Sequence, residues 1–102
     1  MALKSKPFDP ADFLKDEETI SAYLTEAFES EDPRLIAQVL GDVAKARGGM
    51  TELSKRTGLS REALYRALSD NGNPEFFTIL KVARALGIKL SATALKSDAV
   101  AA

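Results

Sequence analysis

Thr51-Glu52-Leu53-Ser54-Lys55-Arg56-Thr57-Gly58-Leu59-Ser60-Arg61-Glu62-Ala63-Leu64-Tyr65-Arg66-Ala67-Leu68 decides the fold. It reads as two short helices around a three-residue turn, Met50 to Thr57 and Arg61 to about Ser69. Gly58 ends the first because glycine takes the left-handed conformation a tight turn needs. Ser60 supplies an N-cap for the second. Two helices meeting steeply need a small residue at their contact, and Ser54 is that residue. Leu53, Leu59, Leu64 and Leu68 sit at the offsets that pin both helices to a core. The free side of the second helix then presents Ser60, Arg61, Glu62, Tyr65 and Arg66.

That face suits the major groove of double-stranded DNA. Arginine can bond guanine through two donors and a carboxylate can accept from cytosine, while the N-terminal residues of such a helix lie at base edges. Ser60, Arg61, Glu62, Tyr65 and Arg66 are therefore candidate base readers. Two of them have equally simple alternatives: Tyr65 packing on its neighbours, and Glu62 orienting Arg61 or Arg66. Lys45, Arg47, Lys55 and Arg56 precede this helix and are candidate phosphate contacts. Between Lys45 and Arg66 six bases stand against two acids.

Upstream, Ile20, Tyr23, Leu24, Ala27 and Phe28 recur at helical spacing from Asp16 to about Glu29, with Asp16, Glu17 and Glu18 in the first turn. Asp32 caps a further helix, with Pro33 at its first position and Leu35, Ile36, Val39, Leu40 and Val43 as its buried stripe; Gly48-Gly49 closes it. Gly41, inside that helix, implies close packing. Downstream, Asp70-Asn71-Gly72-Asn73-Pro74 is a turn. Glu75 to Leu86 then carries Phe76, Ile79, Leu80, Val82, Ala83 and Leu86 inward. Ile88 to Leu95 alternates, the pattern of a short strand that would pair with the N-terminal lead-in or with a second subunit.

The stretches Leu40-Gly41-Asp42-Val43-Ala44-Lys45-Ala46-Arg47-Gly48, Gly58 to Leu68, Gly72-Asn73-Pro74 and Ile79 to Gly87 resemble the Xre-type, phage-repressor-like helix-turn-helix domains. Within them they are similar to the addiction-module antidote proteins, the HigA-type antitoxins. The likeness extends to Phe8-Asp9-Pro10-Ala11-Asp12-Phe13-Leu14. It implies an all-α, five-helix, lambda-repressor-like domain with an extended N-terminal arm and a short C-terminal strand. It further implies a homodimer that binds operator DNA, represses its own operon and neutralises a RelE/ParE-type toxin; the alternatives are a stand-alone phage-like repressor without a toxin partner and a protein-interaction module that does not touch DNA. Ser54, where many relatives carry alanine, is a small departure.

The 102 residues are read as one domain: an acidic arm and first helix over 1–32, a DNA-binding core over 33–95 and a flexible tail over 96–102. The net charge of -1 hides an asymmetry, since residues 1–32 hold nine acids against three lysines and residues 33–102 hold eleven bases against six acids. The acidic arm has two uses open to it: to stay solvated, or to meet a basic toxin. Phe8, Phe13 and Leu14 are its candidate partner contacts. With neither cysteine nor histidine, thiolate, imidazole and Cys/His metal chemistry are excluded. No catalytic constellation, cofactor or metal is expected. Met1 to Lys6 lacks a signal-peptide apolar stretch and no run is long enough to span a bilayer, so a cytoplasmic protein with no membrane contact is expected.

Overall fold

The computed structural model describes residues 16–69 and 71–96. Phe8, Phe13, Leu14 and residues 97–102 of the expected tail lie outside the described residues. Five helices follow one another: α1 (Glu17–Ser30), α2 (Pro33–Ala46), α3 (Gly49–Thr57), α4 (Arg61–Ala67) and α5 (Phe76–Ala85).

α1, α2 and α4 begin where a side chain accepts from one of the helix's first free N–H groups, whereas α3 and α5 have no side-chain cap. The Asp16 carboxylate accepts from the Thr19 N–H at 2.7 Å. Asp32 accepts from the Arg34 N–H at 3.0 Å ahead of Pro33, the position expected for both. Ser60 Oγ accepts from the Ala63 N–H at 3.0 Å and so caps α4 as expected. Between α1 and α2 the chain turns through Glu31, a non-glycine residue at φ 60°. Ser30 supports this corner: its hydroxyl donates to the Ala27 carbonyl at 2.6 Å and accepts from the Asp32 N–H at 3.1 Å.

α1 packs on α2, α2 on α3, and α3 on both α4 and α5. Their apolar stripes meet in one core containing Ile20 and Leu24 of α1, Leu40 and Val43 of α2, Leu53 of α3, Leu64 of α4, Leu68 just after it, Val82 of α5 and Leu86 just after that helix. Burying a side chain such as Leu64 contributes about 1.5–3 kcal/mol. Gly41 has the packing reason read from its sequence, since a Cβ there would stand 3.2 Å from the Leu68 carbonyl oxygen. Between α1 and α2 the Tyr23 phenol hydrogen-bonds Asp42; burial first, then the Asp42 charge and hydrogen bond, raise its pKa above 10.0.

Three expectations are corrected. Phe76 and Leu80 do not point inward; they are 67% and 39% exposed, because the face of α5 that meets the core is set by Ile79, Val82 and Ala83. Leu35 is 37% exposed, because the inward side of α2 at this end is taken by Ile36 and the buried Ala37. Among the described residues there is no strand. Residues 88–96 follow α5 without regular structure, since the other described connections are short turns that offer no ladder.

Candidate nucleic-acid interface

The three residues Gly58 to Ser60 join α3 to α4, and the bonds within this turn fix their relative placement. Gly58 sits at φ 79° and its N–H donates to the Ser54 carbonyl at 2.9 Å. Any L side chain there would strain the backbone. Thr57 serves the turn twice, donating its hydroxyl to the Leu53 carbonyl at 2.9 Å and accepting the Leu59 N–H at 3.1 Å. Ser54 is more than a small spacer: its hydroxyl donates to the Leu59 carbonyl at 2.6 Å, tying the middle of α3 to the turn. Leu53, Leu64 and Leu68 are buried and Leu59 is half-buried, so all four expected pins reach the core or its edge.

With Leu64 inward, the period of about 100° per residue puts Arg61, Glu62, Tyr65 and Arg66 within an arc of about 140° that begins about 60° from Leu64 and runs around the outer side. All four are exposed, Tyr65 at 59%. Ser60 is exposed at the start of the same face. Arg61 is held in place, its guanidinium donating to the Thr51 hydroxyl at 3.2 Å across the α3–α4 angle. That bond could not be read from the sequence, because it depends on how the two helices cross.

Lys45 and Lys55 are exposed at the last turns of α2 and α3. Arg56 pairs with Glu52 at 3.3 Å and donates to the Ala85 carbonyl at 3.2 Å, clamping α3 to the end of α5. The i,i+4 spacing of Glu52 and Arg56 was visible in the sequence as a helical ion pair. Arg47 is half-buried, with its guanidinium 3.8 Å from where a Cβ on Gly87 would lie. Arg56 therefore joins α3 to the end of α5, and Arg47 lies close to the Gly87 corner that follows it.

The described residues contain no cluster of acidic side chains placed to hold a metal ion, and no helix long and apolar enough to cross a membrane. The arrangement offers hydrogen-bond donors, one carboxylate and a phenol along one exposed side of α4.

Residues 4–94 match the family of probable addiction module antidote proteins. The chain belongs to that family. Its match covers both the acidic lead-in and all five helices. A protein of Haemophilus influenzae, described as uncharacterized, is 44% identical over 89 residues, which span 87% of this chain and 91% of that protein. No solved structure matches the chain. Membership in an antidote family supports an antitoxin function, implies a toxin as partner, and points to a regulatory rather than catalytic protein.

Proposed function

We propose that this chain is a DNA-binding antitoxin that neutralises the toxin of its own module and represses the operon encoding both. The observation that carries the DNA-binding part is the ridge on α4: Arg61, Glu62, Tyr65 and Arg66 exposed in one arc, on a helix pinned from behind by Leu64 and Leu68. A helix with this distribution enters the major groove with its base-reading side chains forward, and α3–turn–α4 serves as a helix-turn-helix. Arg61 and Arg66 bond guanine, Glu62 accepts from cytosine or orients the arginines, and Ser60 and Tyr65 complete the contact. Lys45 and Lys55 neutralise phosphates. Arg47 and Arg56 contribute positive potential, and Arg56 also holds the end of α5 in place. A dimer sets two such helices in successive grooves about 34 Å apart.

The toxin-binding part rests on family membership and on charge. Residues 1–32 carry nine acids against three lysines, a surface that attracts a basic toxin of the RelE/ParE type. Phe8, Phe13 and Leu14 supply apolar anchors for that contact. The protein then works in the cytoplasm, where toxin, operator and antitoxin meet.

Two measurements test this reading. Binding to a duplex carrying the chain's own promoter, followed by fluorescence anisotropy, weakens steeply with salt because phosphate contacts release counterions. Co-expression with the adjacent reading frame yields a co-purifying complex. Salt-independent or absent duplex binding would remove the DNA-binding role. Failure to co-purify would leave a repressor without a toxin partner.

A further inference from the structure

The Arg61 guanidinium carries its N–H donors in a rigid planar fork, and the fold engages one corner of it. Arg61 Nη1 donates to Thr51 Oγ1 at 3.2 Å, a bond that spans the angle between α3 and α4. Both residues are exposed and both belong to this chain, so the arginine is oriented before any duplex arrives. The anchor is stiff, because Thr51 is β-branched and sits in the first turn of α3, where a threonine has two favoured rotamers. Glu62, the other candidate for orienting this arginine, bonds neither Arg61 nor Arg66 among the described residues. Arg66 is exposed on the same helix, and its guanidinium has no comparable anchor among those residues. The corner that is used decides what remains. With Nη1 committed to Thr51, the parallel pair Nε–H and Nη2–H along the other edge bonds nothing else among the described residues. Such a pair matches the N7 and O6 acceptors of a guanine.

We infer that Thr51 is a specificity-determining positioning residue: it holds the Arg61 guanidinium so that this second edge meets guanine, and it makes Arg61 the sharper of the two arginine readers. The inference rests on the function proposed above, since it needs α4 to be the reading helix. Magnitudes decide where the effect shows. A hydrogen bond between exposed groups replaces bonds to water and adds little to stability. Fixing a long side chain in advance, by contrast, removes an ordering cost that an unanchored arginine meets in full on binding. Loss of the anchor therefore lowers the preference at one base pair rather than weakening every duplex equally. A direct contact of Thr51 with phosphate would do the reverse, because phosphates carry no sequence information.

Duplexes carrying the chain's own promoter, each with one base pair changed, are titrated with wild type, Thr51→Val, Thr51→Ser, Arg61→Ala and the double variant Thr51→Val with Arg61→Ala. The base pair read by Arg61 is the one at which Arg61→Ala loses preference. Thr51→Val keeps the shape and the β-branching without the hydroxyl. It is expected to keep the wild-type melting temperature and to lose about three- to tenfold of the discrimination at that base pair. Thr51→Ser restores it. In the Arg61→Ala background Thr51→Val has no further effect, which is the coupling a positioning role requires. The inference is overturned by Thr51→Val with wild-type discrimination at that base pair, by Thr51→Ser behaving as Thr51→Val does, by an equal loss in both backgrounds, or by a loss uniform over all duplexes. Each of those results leaves DNA binding through α4 standing. A wild-type chain that binds no promoter duplex, or an Arg61→Ala chain that keeps every base preference, overturns the reading role of Arg61 and this inference with it.

Discussion

Small side chains at the corners hold this protein's geometry. Replacing Ser54 with alanine keeps the close helix contact but removes the donor from the Leu59 carbonyl. A net loss of about 1 kcal/mol in denaturant unfolding is expected. Glu31 works the other way, because its left-handed φ of 60° costs a β-carbon-bearing residue about 1 kcal/mol that glycine escapes. Glu31→Gly should therefore raise the melting temperature, and a lower one would show that the corner is not strained. Among the described residues two groups have shifted titrations. The Thr19 backbone N–H holds the Asp16 carboxyl below 3.8, so its contribution is full above that value and is lost as pH falls through the lowered pKa. Tyr23 is raised above 10.0 by burial and by Asp42, so its contribution is full below pH 10.0 and is lost as pH rises through the raised pKa. Tyr23→Phe should flatten the alkaline fall in melting temperature, and Asp16→Asn the acid fall.

At the scale of elements, what the sequence made legible were features fixed by a few neighbouring residues. Asp32-Pro33 and Ser60 mark helix starts by capping chemistry, and Gly58 marks a turn by its conformational freedom, so these boundaries follow from local rules. The inward leucines of α4 followed from spacing alone. Phe76 and Leu80 were misread because periodicity names a stripe but not its centre; α5 meets the core through Ile79 and Val82, a rotation that only packing against α3 decides. The Arg61–Thr51 bond and the Arg56–Ala85 contact were hidden for a related reason, since each joins residues of different helices. The alternation from Ile88 to Leu95 describes an amphipathic segment without supplying a partner strand. Cap chemistry gives a prediction at this scale. Ser60→Ala should destabilise the domain by about 1 kcal/mol through loss of the α4 N-cap, measurable by denaturant unfolding. If stability were unchanged, Ser60 would act only as a surface contact.

For the whole molecule, a net charge of -1 conceals an acidic front and a basic body. The acidic part includes α1 and the basic part includes α4. Membership in an antidote family implies a toxin as partner, and the function proposed above gives the α4 ridge to operator DNA. The most direct test of that ridge is a competition series in which operator duplexes with single base-pair changes are bound by wild type and by Arg66→Ala. Arg66→Ala is expected to lose about 1–3 kcal/mol on the cognate duplex and to discriminate less at one base pair, keeping the preferences elsewhere. An Arg66→Ala chain with wild-type affinity and wild-type preference at every position would contradict the assignment of α4 as the reading helix.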